Sequence, residues 1–440
     1  MIALRRRTGP LICALALALL LTARAGAQQV PREALGVRIT AVDTADFPTV
    51  RVRVLTTGPG SAPAPDLSRL LLRENGVPIP EATISGVPVG IDLALVIDAN
   101  VDFHVADESG GPTRREKVVT AIGDYATTVM NPAGLDRVSV IAPDAARLEP
   151  LFLVEDATTA EALAAPVAAF DFAPPADQPL RPTPLQAMLT AALDHLAGQA
   201  DDGRFQAVLL FSDAARIGGQ LDAVALTTAA QAAGVPLYVA ILGAEASPDE
   251  VANAEALSGP TNGRTIHMPS PEAIATLYET FAAQQSQTEL LYRSALRANG
   301  RQQIAVNLGN VRDTAEFELA LAAPDVSLDL PRTIRRVGMA PDTPLALLQP
   351  AALALDAVVA WPDDQPRALT EVAFLVDGVA QPQAAAPALE GDRIPLVWDL
   401  SEREAGDYTL SVEIADELGF RARSAPVTVT IETARPSPPT

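Results

Sequence analysis

Leu93-Ala94-Leu95-Val96-Ile97-Asp98-Ala99-Asn100-Val101-Asp102 is the stretch on which the fold turns. An unbroken apolar run suits a parallel strand covered on both faces. The run stops at Asp98, and a loop with two more oxygen-bearing side chains follows. A second apolar run, Ala207-Val208-Leu209-Leu210-Phe211, ends in Ser212-Asp213, and Thr183-Pro184-Leu185 stands between the two. In an open α/β sheet, ligands bind outside the carboxyl ends of the strands. Two strands that each end in a carboxylate, with a threonine loop between them, place oxygen donors for a hard divalent cation at that edge.

The surrounding pattern alternates strand and helix from Ile91 to about Ala283. Val138-Ser139-Val140-Ile141 and Leu237-Tyr238-Val239-Ala240-Ile241-Leu242 are further continuous apolar runs. Helical patterns cover 114–130, 160–169, 184–197, 221–233, 247–257 and 271–283. Thr113 and Ser270 are expected N-caps. Gly234 is an expected helix stop. Such alternation implies a doubly wound parallel sheet.

On either side the period changes to two. Segments 37–42, 50–55 and 70–74 read as strands, with Gly58 to Pro65 as a loop and Asn75-Gly76 as a turn. After Gln287, segments 290–294, 303–308 and 315–321 read as strands, with Asn299-Gly300 as a hairpin turn. Neither flank makes a core alone. One discontinuous β-sandwich is therefore expected, from 28–89 plus 286–324, with the α/β domain inserted at 90–285. Residues 325–432 read as a separate all-β domain. Asp377-Gly378 marks a hairpin there, Trp398 is a core candidate, and Gly406-Asp407-Tyr408 resembles the tyrosine corner of immunoglobulin-like sandwiches.

Residues 91–283 resemble a von Willebrand factor type A (VWA) domain, a Rossmann-like doubly wound α/β fold. The family's motif is a strand ending in Asp-x-Ser-x-Ser, a threonine in a later loop and an aspartate after the fourth strand. Together these form its metal-ion-dependent adhesion site. Asp98, Thr183 and Asp213 match the two aspartates and the threonine. The helix from Arg114, followed by Asp136-Arg137-Val138, matches the family's first helix and next strand. Taken with the reading of the flanks, the resemblance gives a multidomain chain: a VWA domain inserted in a β-sandwich, then a C-terminal immunoglobulin-like β-sandwich. It also implies a metal site of Asp98, Asn100, Asp102, Thr183 and Asp213.

Three positions depart from the motif. Asn100 and Asp102 stand where serines are usual, and Ala214 stands where a glycine is usual. A polar insert, Phe103 to Pro112, lengthens the loop. Asparagine and aspartate still offer oxygens to magnesium or calcium. With Asp98, Asp102 and Asp213 all acidic, calcium is favoured, and a partner's carboxylate is attracted less. In the competing reading, Asp98 and Asp213 cap backbone N–H groups and hold no ion.

Composition bounds the function. The formal net charge of −22 argues against nucleic acid or anionic lipid as partner. Lys117 is the only lysine. Arg5-Arg6-Arg7, the apolar run from Leu11 to Ala23 and Ala25-Gly26-Ala27 read as a signal peptide over 1–27, cleaved after Ala27. Cys13, the only cysteine, lies within it, so the mature chain has no thiol chemistry. No second segment reaches membrane-spanning length, and 433–440 reads as a disordered tail.

Other candidate chemistry is thin. His104, in the insert, is near enough in sequence to approach the site, while His195 falls in a helix and His267 near an edge strand. Arg181 is placed to pair with Asp102 or an acidic ligand. Trp361 beside Pro362-Asp363-Asp364 reads as an exposed loop. No metalloprotease helix, phosphate loop or nucleophile elbow is present. The expectation is a secreted, non-enzymatic bacterial adhesion or interaction module. It would bind a protein partner through the top of the VWA domain, with a divalent cation (Mg or Ca) at the degenerate site. The alternatives are a metal-free scaffold of an envelope assembly and, less favoured, an extracellular hydrolase.

Overall fold

The computed structural model describes residues 35–64, 66–172, 183–200, 203–215, 217, 221–383 and 388–437. The expected signal peptide with Cys13, and Arg181, lie outside the described residues. The described chain forms two compact units. One holds 56–67 and 88–286, and the other 37–55, 68–87 and 287–437.

Five strands come before residue 90: β1 Gly36–Asp43, β2 Thr49–Thr57, β3 Leu70–Glu74, β4 Val77–Ile79 and β5 Thr83–Pro88. The α/β unit follows, with β6 Ile91–Ile97, α1 Arg114–Asp124, β7 Arg137–Pro143, β8 Pro150–Ala157, α2 Ala160–Ala169 and α3 Leu185–Ala197. It continues with β9 Phe205–Ser212, α4 Ala223–Ala233, β10 Leu237–Leu242, α5 Pro248–Ser258, β11 Thr265–Met268 and α6 Ala275–Gln284. The other unit resumes with β12 Ser286–Arg293, β13 Gly300–Leu308 and β14 Val311–Leu319.

The central sheet of the first unit runs β11-β10-β9-β6-β7-β8. Neighbours pair in parallel from β11 to β7, and β8 closes the edge antiparallel to β7. From β6 the chain winds outward to β7 and β8, then returns to β9 and winds the other way. That reversal is the switch point of a doubly wound sheet, and it lies between β6 and β9. β8 is absent from the sequence expectation. Its antiparallel edge position gives it a half-exposed pattern rather than a continuous apolar run.

All seven residues of β6 are buried. Ala94 and Val96 share a core cluster with Leu189 and Leu193 of α3, Leu226 of α4 and Leu257 of α5. Leu93, Leu95 and Ile97 point to the other face by the strand's alternation. α1 and α6 belong together: Tyr278 Oη donates to the Ala121 carbonyl at 2.8 Å, and the Tyr125 and Tyr278 rings meet edge to face. Thr113 caps α1 in a reciprocal capping box with Glu116, and Gly234 ends α4 in the left-handed region. Ser270 makes no side-chain cap bond; a short 3-10 turn precedes α6 instead. Gly90 admits the chain into β6 at φ +84, where an added Cβ would collide with the Leu135 carbonyl.

The Gly/Pro loop after β2 docks on this unit. Asn262 Nδ2 donates to Gly58 O at 3.1 Å, Tyr238 Oη to Gly60 O at 3.0 Å and Gln284 Nε2 to Ser61 O at 2.6 Å.

In the second unit, β12 pairs with β2, and β13 pairs with β3 and β14, in two four-stranded sheets. Val50, Val52 and Leu290 of one sheet meet Leu72, Ile304 and Val306 of the other in a single core. Asn299-Gly300 is not a hairpin turn, because β12 and β13 lie in different sheets. Asn299 instead clamps Leu321, donating to its carbonyl at 2.7 Å and accepting from its N–H at 2.6 Å. The turn between β13 and β14 falls at Gly309-Asn310.

Beyond β14 come β15 Asp325–Asp329, β16 Thr333–Val337, β17 Ala352–Ala360, β18 Leu369–Val376, β19 Val379–Ala380, β20 Arg393–Asp399, β21 Gly406–Asp416, β22 Arg421–Arg423 and β23 Val427–Ala434. One sheet runs β15-β17-β20 and the other β16-β23-β21-β18-β19, with β22 on β21. Trp398 lies at the centre of their shared core, edge to face with Tyr408. Tyr408 Oη donates to the Glu404 carbonyl at 3.1 Å, the backward bond of a tyrosine corner. Thr433 and Ala434 belong to β23 and not to the tail. Trp361 is not free in solvent: the Arg367 guanidinium lies over its ring at 4.9 Å.

Candidate functional site

The register of β6 against β9 builds the site. Ile97 lies opposite Phe211, so Asp98 falls level with Ser212 at the carboxyl edge. The Asp98 N–H donates to Phe211 O at 2.9 Å. Its carboxylate takes the Thr183 hydroxyl on Oδ1 at 2.6 Å and the Ser212 hydroxyl on Oδ2 at 2.7 Å. Asp98, Thr183 and Ser212 are all buried. Three separated segments thus converge on one carboxylate.

Asp213 has different partners. Its Oδ1 accepts from the Ala215 N–H at 3.3 Å. Its Oδ2 accepts from Asn100 Nδ2 and from an Arg114 guanidinium nitrogen, both at 3.2 Å. Ala214 takes φ +60, a left-handed backbone that favours glycine. The loop therefore keeps the shape a glycine would serve while carrying alanine.

Asn100 Oδ1 accepts from the Asp102 N–H at 2.8 Å, so its amide nitrogen faces Asp213. Asp102 joins the cluster through its backbone alone; its carboxylate makes no hydrogen bond or ion pair with the described residues. The turn after Asn100 uses the 102 backbone as both donor and acceptor.

The 103–112 insert is folded onto the unit. Phe103 is buried, and Arg115 N donates to its carbonyl at 2.8 Å. Asp107 turns inward between two cations: its Oδ1 lies 3.1 Å from Arg114 Nε and its Oδ2 2.7 Å from Lys117 Nζ. Burial opposes the charged form of Asp107, and the bonds from Lys117 and Arg114 overcome it, so its pKa lies below the ordinary value. Val101 and Val105 remain exposed on this loop, at 39% and 44%. A cleft of about 240 Å³, bordered by Glu108, Gly111, Lys117, Ala244 and Ser270, opens beside it.

Sequence reasoning missed Arg114, Lys117, Asp107 and Ser212. Ser212 carried a signal, because residues level with each other on neighbouring strands put their side chains on the same face, which sets Ser212 beside Asp98. Arg114 carried a contrary one. A cation at the first position of a helix opposes the macrodipole, so a nearby anion has to hold it there. His104 does not reach the cluster; its Nε2 lies 3.0 Å from Asp171 and 3.2 Å from the Phe172 carbonyl.

A bound cation fits this donor set poorly. Asn100 presents N–H rather than oxygen to Asp213, and the Arg114 guanidinium already bonds the same carboxylate oxygen.

One constellation resembles hydrolase chemistry. His195 Nε2 lies 3.0 Å from Ser139 Oγ and 3.0 Å from Asp156 Oδ1. A catalytic triad uses the two ring nitrogens separately, one toward the nucleophile and one toward the acid. Here one nitrogen serves both, and Ser139 is 1% exposed. Gln199 also donates to Asp156 at 2.8 Å, which completes a structural clamp between β7, β8 and α3. His267 Nε2 lies 3.1 Å from the Gly243 carbonyl, away from this clamp.

No family model matches the chain, and no curated protein does. Some solved structures are similar to parts of it. The VWA domain of SpRpn10 is 12% identical, over 45% of this chain and 97% of that one, with a TM-score of 0.31. Fibronectin(III)-like modules of Clostridium thermocellum CbhA are 20% identical, over 35% and 72%, with a TM-score of 0.19. The N-terminal four Ig domains of Dscam1 are 13% identical, over 33% and 30%, with a TM-score of 0.18. At these scores the likenesses carry no argument about function. The chain is β-rich, with several sheets and one α/β unit. Among the described residues no helix is long and apolar enough to cross a membrane.

Proposed function

We propose that this chain is an exported, non-enzymatic protein-interaction module of the VWA kind. It engages a protein partner at the carboxyl edge of its α/β sheet, and its immunoglobulin-like β-sandwiches serve as spacers. The observation that supports this most is the loop after β6. It holds Val101 and Val105 out to solvent while Phe103, Asp107 and the Arg114 backbone anchor it from beneath. An exposed apolar pair on a pinned loop costs little conformational entropy on binding. The adjoining cleft adds relief for a partner side chain.

The scaffold reading shares this surface and differs only in needing no exchangeable contact there. The metal-dependent form of the interaction is disfavoured by the Arg114–Asp213 pair.

Capture on the immobilised mature chain tests the proposal. Proteins retained from an extract of the source cell envelope are compared between wild type, a Val101→Glu/Val105→Glu variant and a Val224→Glu control on α4. Each change lies on the surface, so stability should shift by no more than about 0.5 kcal/mol. Retention lost only in the double variant supports the reading. Retention unchanged there and lost in the control contradicts it.

A further inference from the structure

We propose that Arg114 is a resident cation for this carboxyl edge, so that the cluster holds its charge balance without a divalent ion. The guanidinium bridges two carboxylates from different segments. Its Nε lies 3.1 Å from Asp107 Oδ1, and a terminal nitrogen lies 3.2 Å from Asp213 Oδ2. The Arg114 side chain is only 19% exposed, so water screens these pairs weakly. Lys117, the chain's only lysine, backs the arrangement from one turn further along α1. Asn100 completes it by donating its amide to Asp213.

Charge makes the position exclusive. A dication seated between Asp98 and Asp213 would stand against a fixed guanidinium and compete with it for Asp213 Oδ2. Unlike a metal, the guanidinium also donates directional hydrogen bonds, which fixes the insert loop and the loop after β9 to each other. The inference concerns ion occupancy alone and needs no partner, so its failure is separable from failure of the interaction reading.

Manganese, calcium and magnesium are titrated calorimetrically into the mature chain and into Arg114→Gln and Arg114→Lys variants. Wild type and Arg114→Lys should give no saturable heat. Arg114→Gln should bind saturably, at least about tenfold more tightly than the weakest affinity the same titration would detect in wild type, the scale expected when one like-charge repulsion is removed. That gain should disappear when Asp98→Asn is added. A folded Arg114→Gln that binds no ion overturns the proposal. So does saturable binding by wild type that Asp98→Asn abolishes. Thermal unfolding of the wild type is an independent test if the Arg114 variants do not fold. A midpoint indifferent to millimolar calcium and to EDTA supports the proposal. A midpoint raised by calcium in wild type but not in Asp98→Asn overturns it.

Discussion

Arg114 and Arg367 each grip two aspartates, in very different surroundings. Arg114 stands at the rim of the α/β sheet, between Asp107 and Asp213, with part of its side chain open to water. The Arg367 side chain is 0% exposed, with Asp363 at 2.6 Å, Asp416 at 2.7 Å and the Ala322 carbonyl at 2.6 Å. Trp361 and Phe420 flank its guanidinium. Asp363 Oδ2 also accepts the Ala322 N–H at 2.8 Å. Arg367 thus ties the strand connection after β14 to the loops of the last sandwich. The same three-charge grouping is a staple when sealed among aromatics. At a sheet edge beside exposed valines it sets the charge of a surface.

Removing each arginine should separate the two roles. Arg367→Ala leaves Asp363 and Asp416 buried and unpaired, so it should cost about 3–5 kcal/mol in urea unfolding of the full chain. Arg114→Gln keeps one amide donor and opens its carboxylates to water, so it should cost about 1–3 kcal/mol. Equal losses at the two sites would erase the contrast.

Acid sharpens it further. Burial opposes ionisation of Asp107 and of Asp363, and their hydrogen bonds outweigh it, so both pKa values lie below the ordinary one. A depressed folded-state pKa adds stability that is complete above the unfolded value of about 3.9 and is lost as pH falls through the folded value. Asp107→Asn and Asp363→Asn should each flatten the fall of the unfolding midpoint below about pH 4, where wild type continues to drop. Thermal melts across that range check it, and a wild-type midpoint level through it would contradict the expectation.

The sheet is largely legible in the sequence because buried parallel strands leave continuous apolar runs, as at β6, β7, β9 and β10. β8 is not, since an antiparallel edge exposes alternate residues and its pattern merges with a loop. The meeting of Thr183 with Asp98 is suggested by the strand end at Asp98 and the threonine loop, whereas Asp213, on the neighbouring strand end, turns to Asn100 and Arg114 instead. Those partners of Asp213 do not follow from spacing. Arg181, the arginine that the sequence offers for the site, lies outside the described residues; among those described, Arg114 reaches the site, because the 103–112 insert brings Asp107 to its Nε while its terminal nitrogen meets Asp213. Asn299-Gly300 misleads for a related reason. Its dipeptide favours a turn, and only pairing across the two sheets shows that no hairpin closes there.

A double-mutant cycle between Arg114 and Asp213 tests the central claim most directly, using Arg114→Gln, Asp213→Asn and both together in urea unfolding without divalent ions. If the guanidinium is the cation of this edge, the two substitutions should couple by about 1–3 kcal/mol, and the double variant should be more stable than the sum of the single losses allows. Additive losses would mean that Arg114 and Asp213 do not sense each other, and the resident-cation account would be wrong.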